Sequence, residues 1–136
     1  MDSYFGTDTS RYLFGKSNLS PSETIALGSI IAKYHPQRII RIPEVYMPIK
    51  TKTPDFLVDN VRYEIKSPEK ITGVKSLAKS AFKQIRRNGF IVFEFMNARG
   101  AALCDYLEEA YSYCSHRKNI GIILMSHGDI IYSSLD

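Results

Sequence analysis

The sequence lacks an apolar run long enough to cross a lipid bilayer. Its longest runs, such as Ile120 to Met125, are far shorter than the ~20 residues that a transmembrane helix needs. Met1 and Asp2 are followed by polar residues, without the basic stretch and the apolar stretch of a signal peptide. We therefore expect neither a membrane span nor a secretion signal in this chain.

Cysteine and histidine are also scarce. Cys104 and Cys114 are the only 2 cysteines, and on one helix they would lie ~15 Å apart, beyond the ~7 Å Cα separation that a disulfide allows. The 3 histidines stand alone, without the spacing of zinc ligands. The sequence therefore predicts free thiols, a reducing compartment and no zinc site built from imidazoles.

The composition is typical of one folded domain with a surplus of cations. A chain of 136 residues with 44% apolar and 12% aromatic side chains has the length and apolar content to fold around a single core. Lys and Arg number 18 against 14 Asp and Glu, so the formal net charge is +4. This surplus favours a polyanionic partner, because each cation placed against a phosphate releases a counterion.

Periodicity and capping signals predict a mixed α/β order. Residues 1–19 show no clear period and are predicted to form an N-terminal arm, and residues 20–136 to form the domain. Ser20-Pro21-Ser22-Glu23 predicts the start of a helix that ends at His35-Pro36. The later segments are predicted as a strand over 38–45, a hairpin over 55–66, a helix over 75–87, a strand over 90–96, a helix after 97–100 and a hairpin over 120–133. We expect a single mixed β-sheet flanked by helices, with Glu94 as an edge residue.

The hairpin over 55–66 contains the residues that could take part in a chemical reaction. If Asp59-Asn60 is a two-residue turn, the register places Asp55 directly opposite Glu64, with Lys66 on the same face. Opposed carboxylates have Cβ atoms ~5 Å apart and destabilise a sheet unless a cation lies between them. Mg²⁺ accepts one or two carboxylates and completes its octahedron with waters and phosphate oxygens. Lys66 adds a cation that could stabilise a phosphoryl transition state or help deprotonate the attacking water.

A purely structural interpretation of the same residues stays open. In it, Glu64 belongs to an acidic face exposed to solvent, and Arg62 and Lys66 are surface counterions. Glu23 is explained by the capping box at Ser20, and Gln84 by an ordinary helix surface.

The spelling Pro54-Asp55 followed by Glu64-Ile65-Lys66 resembles the signature of the PD-(D/E)XK nucleases. Residues 20–96 also follow that fold's order of helix, three strands, helix and strand. Within the superfamily, the chain most resembles the tRNA-cleaving C-terminal toxin domains of CdiA-type contact-dependent growth inhibition proteins. The matching stretches are Ser22-Glu23 to Ala32, Thr53 to Leu57, Tyr63 to Pro68, Lys83-Gln84, Ile91 to Phe93 and Ile122 to Tyr132.

The resemblance implies a restriction-endonuclease-like core and a metal-dependent endonuclease. It implies a divalent metal, Mg²⁺ with Mn²⁺ or Zn²⁺ as alternatives, held by Asp55 and Glu64 with Glu23 as an outer ligand. Lys66 would be catalytic and Gln84 would lie near the metal. Action on tRNA in the cytoplasm of a target cell, and an acidic immunity protein as partner, are also implied.

A one-sided run of cations follows the hairpin. Lys75, Lys79, Lys83 and Arg86 fall on one helix face, with Arg87 next to them, and no acidic residue occurs between Glu69 and Glu94. Such a patch could position a phosphate backbone over the acidic site, although a solvated helix face has the same pattern.

Three other functions remain open from the sequence. The first is a DNA-cleaving PD-(D/E)XK endonuclease. The second is a metal-independent, barnase-like RNase toxin that uses His and Lys as acid and base. The third is a nucleic-acid-binding module that binds with a steep salt dependence and does not cut.

Overall fold

A single mixed β-sheet organises the part of the chain that the computed structural model describes, which comprises residues 12–13, 19–42, 56–86 and 88–135. The strands are β1 (Tyr12–Leu13), β2 (Ile39–Arg41), β3 (Phe56–Val58), β4 (Val61–Lys66), β5 (Gly89–Glu94), β6 (Ile120–Ser126) and β7 (Asp129–Ser133). The helices are α1 (Pro21–Tyr34), α2 (Thr72–Ile85) and α3 (Gly100–Cys114). The class is α/β, as the sequence predicts.

The strands lie in the sheet in the order in which they occur in the chain. β2, β3 and β4 are antiparallel to one another, whereas β4, β5 and β6 are parallel and are connected through α2 and α3. β1 pairs in parallel with β2, and β7 closes the other edge antiparallel to β6. The crossover helices therefore cover the parallel half of the sheet.

Two apolar clusters lie on opposite faces of this sheet. Side chains of α2 and α3 pack with Ile91 and Phe93 of β5 in one cluster. Side chains of α1 pack with Tyr63 and Ile65 of β4 and with Val92 of β5 in the other. Because neighbouring strand residues point to opposite faces, α1 covers one face of the sheet and α2 and α3 cover the other.

The turns and caps that the sequence predicts are present. Ser20 caps α1: its side chain accepts from the Glu23 backbone N–H at 3.2 Å, and its own N–H donates to the Glu23 carboxylate at 2.8 Å. Asp59 and Asn60 have φ values of +49° and +68°, as a type I′ turn requires. The predicted pairs 58–61, 57–62 and 56–63 are confirmed.

Several element bounds differ from those predicted. α2 begins at Thr72, three residues before Lys75, and β2 is described only over Ile39–Arg41, since residues 43–50 lie outside the described residues. Of the predicted arm, Tyr12–Leu13 forms β1, and most of the remainder also lies outside them. Tyr111 of α3 is 47% exposed and packs edge-on against Tyr132 of β7.

The expectation drawn from the scarce cysteines agrees with the structure. Cys104 and Cys114 are both free thiols, the first exposed and the second buried. Among the described helices, none is long and apolar enough to cross a membrane.

Candidate active site

Glu64 lies in the middle of β4, on the face of the sheet that α2 covers. Its neighbours Tyr63 and Ile65 point into the cluster beneath α1, so the alternation of the strand directs Glu64 to the opposite face. The side chain is 0% exposed. The solvent-exposed acidic face of the structural interpretation is therefore wrong for Glu64, because α2 lies over this face of the hairpin.

Lys66 and Gln84 meet beside Glu64. The Lys66 ammonium is 3.7 Å from the Glu64 Oε1 atom and donates a hydrogen bond to the Gln84 Oε1 atom at 3.0 Å. The Lys66 side chain is only 15% exposed. Since an amide oxygen can only accept, Lys66 is held here as a donor. The structure thus brings together three of the predicted site residues from β4 and α2.

Asp55, the predicted partner of Glu64, lies outside the described residues. The hairpin register is observed as far as Phe56 opposite Tyr63, one residue before the predicted pair of Asp55 with Glu64. The pairing of the two carboxylates therefore stays a prediction.

Glu23 has a structural role at the start of α1. Its carboxylate closes the capping box at Ser20 and lies 3.9 Å from the Arg41 guanidinium. α1 packs on the face of the sheet opposite to Glu64. The capping interpretation is observed, and the role of Glu23 as an outer metal ligand stays a prediction.

The donor set for a metal consists of few carboxylates. In the described ranges, no group of three or more His, Cys, Asp or Glu side chains is arranged around a common point. Mg²⁺ does not need such a group, because one or two carboxylates, waters and substrate oxygens complete its shell. A buried carboxylate at Glu64 is chemically suited to this ion, and Asp55 is the second carboxylate that the sequence predicts there.

The outer face of α2 presents cations to solvent. Lys75, Lys79, Lys83 and Arg86 are all exposed, whereas Arg87 lies outside the described residues. The Lys75 ammonium lies over the ring of Tyr113 of α3, 5.5 Å from its centre. α2 therefore carries Gln84 on the side facing β4 and a row of cations on the side facing solvent.

Glu94 is buried in a central strand, so its prediction as an edge residue is wrong. It is 0% exposed at the end of β5, not at an edge, and its carboxylate accepts from the backbone N–H groups of His127 at 2.7 Å and Gly128 at 3.1 Å. His127 and Gly128 have φ values of +51° and +86° and form the tight turn between β6 and β7. The sequence signal for this contact is the presence of an acidic residue within an otherwise apolar central strand.

Two ionisable side chains near these elements are held neutral. Burial, with smaller contributions from Tyr34 and Asp59, raises the pKa of Tyr63 to about 12. Burial likewise raises the pKa of the Cys114 thiol to about 12, against the lowering effect of Arg117. Neither group is therefore suited to transfer protons near neutral pH.

Comparisons with protein families, curated proteins and solved structures found no match.

Proposed function

We propose that this chain is a metal-dependent endonuclease that hydrolyses phosphodiester bonds. The observation that carries the proposal is the cluster of Glu64, Lys66 and Gln84. A carboxylate that is 0% exposed is kept on a sheet beside an ammonium at 3.7 Å and beneath a helix glutamine. Burying such charges is costly and brings little stability compared with apolar side chains of the same size. A chemical role explains why they are there.

The architecture supports a restriction-endonuclease-like core of the PD-(D/E)XK type. The described elements run α1, β2, β3, β4, α2 and β5, with β4 parallel to β5 and one helix on each face of the sheet. This is the order that the resemblance implies. The candidate residues Glu64 and Lys66 occur on the third of these strands, and Gln84 on the helix that follows.

In the proposed reaction, Glu64 and Asp55 would hold the divalent ion, whereas Glu23 keeps its place in the capping box of α1. When bound, the ion supplies a Lewis acid for the phosphoryl oxygens and lowers the pKa of a coordinated water. Lys66, held as a donor by Gln84, stabilises negative charge that develops on the phosphoryl oxygens. Because Lys66 donates a hydrogen bond to the Gln84 oxygen, stabilisation of negative charge is favoured over a role as general base.

The favoured substrate is RNA, specifically tRNA, through the resemblance to growth-inhibition toxins. The cations of α2 would hold the phosphate backbone, and such contacts fix register without reading sequence. The toxin would act in the cytoplasm of a target cell. A net charge of +4 favours an acidic immunity protein as its partner, because opposite charges accelerate association.

Incubation of the purified chain with total RNA and with plasmid DNA, each with Mg²⁺, Mn²⁺, Zn²⁺ or EDTA, tests this proposal. We expect RNA cleavage that a chelator abolishes. Cleavage of plasmid DNA alone would indicate the DNA endonuclease, and cleavage that persists in EDTA would indicate the metal-independent RNase. Binding with a steep salt dependence and no cleavage in any buffer would indicate a binding module.

Substitution of Lys66 by alanine is expected to lower the rate of RNA cleavage by ~10²-fold, as expected for loss of one group that stabilises transition-state charge. RNA binding should persist, because the outer cations of α2 remain. Cleavage rate and a binding isotherm for Lys66→Ala measure both effects. A folded variant that cuts at the wild-type rate would remove Lys66 from the active site.

The double substitution Lys79→Ala and Lys83→Ala tests the cationic face of α2. RNA affinity is expected to fall about equally for all sequences, and the slope of log K against log salt to decrease by roughly one unit for each lost contact. The matched control is Lys33→Ala with Lys118→Ala, which removes the same charge from exposed sites outside α2. Equal losses of RNA affinity in the two double variants would show that the effect comes from net charge and not from the position of the cations on α2.

A further inference from the structure

Arg62 precedes Glu64 by two residues on β4 and therefore lies on the same side of the sheet. Its guanidinium Nη1 donates a hydrogen bond to the backbone carbonyl of Ile85 at 3.0 Å. Ile85 is the last residue of α2, and the last carbonyls of a helix have no partner within the helix. Arg62 therefore supplies a donor, and a positive charge, at the negative end of α2.

The residues that follow α2 pack closely around the hydrogen bond between Arg62 and Ile85. Arg86, the C-cap, has a φ of +70°, and Gly89 begins β5 with a φ of +152°. A Cβ atom at Gly89 would lie 2.4 Å from the Arg62 carbonyl oxygen and 2.7 Å from the Ile85 side chain. Only glycine fits between these groups, so β4, the end of α2 and the start of β5 are in close contact here.

We infer that Arg62 is a positioning residue that fixes Gln84 against Lys66 by holding the end of α2 on β4. Gln84 is the residue next to Ile85, and its side-chain oxygen accepts from Lys66 at 3.0 Å. A second donor, Ser80 on the preceding turn of α2, reaches the same oxygen at 3.4 Å. Arg62 contacts Ile85 and Lys66 contacts Gln84. The last turn of α2 is therefore attached to the two β4 residues that flank Glu64.

That Arg62 fixes the place of Gln84 and Lys66 is a statement about side-chain geometry. That this placement supports catalysis rests on the proposed function. A displacement of ~1 Å at a reacting group can cost two orders of magnitude in rate, and the movement of a tethered helix end is expected to cost about tenfold in kcat with little change in KM.

The positional part is tested by NMR of the full chain, which at 15.5 kDa is suited to it. Arg62→Met removes the donor and keeps the apolar stem, whereas Arg62→Lys restores a donor. The matched control is Arg117→Ala, which removes a guanidinium that stacks on Phe82 of the same helix, 4.2 Å from the ring centre. The readouts are the side-chain amide signal of Gln84 and the 13Cε signal of Lys66.

Arg62→Met is expected to shift and broaden both signals, Arg62→Lys to return them towards their wild-type positions, and Arg117→Ala to leave them in place. Unchanged signals in a folded Arg62→Met, or equal shifts in Arg117→Ala, would overturn the inference whether or not the chain cleaves RNA. If the wild-type chain does not cut, the NMR result still decides the positional part. Shifted signals with wild-type kcat in Arg62→Met would overturn the catalytic part alone.

Discussion

Glu64→Gln is expected to abolish metal-dependent cleavage, and Asp55→Asn to do the same. A bound divalent ion contributes several kcal/mol to phosphoryl transfer, and each ~1.4 kcal/mol is tenfold in rate. Loss of a carboxylate ligand should therefore lower the rate by at least ~10³-fold. Cleavage of total RNA, followed in Mg²⁺ over a range of enzyme concentrations, measures this loss.

The same substitutions should leave the fold intact without metal. In Glu64→Gln, a fully buried charge is replaced by a neutral side chain of the same shape. The Lys66 ammonium keeps its hydrogen bond to Gln84 and its partial access to solvent. If Asp55 lies opposite Glu64, as the register predicts, removing one of the two carboxylates also relieves their repulsion. We expect equal or slightly higher melting temperatures in EDTA, with Mg²⁺ raising the melting temperature only of the wild type.

Glu108→Gln is the control for both measurements, because Glu108 is exposed on α3. It should cut and melt as the wild type does. If Glu64→Gln is folded and still cuts in Mg²⁺, Glu64 is not a metal ligand and the proposed function is incorrect.

The parts of the site that depend on local chemistry could be predicted from the sequence. Asp59 and Asn60 tolerate the positive φ values of a tight turn, and a two-residue turn leaves one register for the strands on either side. That register fixes which β4 residues share a face. The capping box at Ser20 is equally local, because its two hydrogen bonds join residues three positions apart.

The contacts made over long distances in the chain could not be predicted in this way. The burial of Glu64 depends on how α2 crosses the sheet, and a strand pattern does not show which face a helix will cover. The resemblance placed Gln84 near the metal, and its contact with Lys66 was not predicted. Glu94 was missed because its partners lie 33 and 34 residues further along the chain.

Glu94→Ala is expected to give the largest loss of stability among the substitutions considered. The carboxylate accepts from two backbone N–H groups of the turn between β6 and β7, and a hydrogen bond to a charged group contributes ~1.5 to 3 kcal/mol. Truncation also leaves a cavity at a fully buried position, so the free energy of unfolding should fall by about 3 kcal/mol or more.

Thermal melting and urea unfolding of Glu94→Ala, with Glu94→Gln beside it, measure this loss. A fall in melting temperature of roughly 10 °C is expected for Glu94→Ala in a domain of this size. Glu94→Gln should fall between Glu94→Ala and the wild type, because its amide keeps one oxygen to accept from the turn while its NH₂ group faces a second donor. The Ser29 hydroxyl donates to the Gly128 carbonyl at 2.6 Å, and neither substitution removes this donor, so we expect the turn to be weakened without being released. Wild-type stability in Glu94→Ala would show that the turn does not need the carboxylate, and that its burial in β5 has another cause.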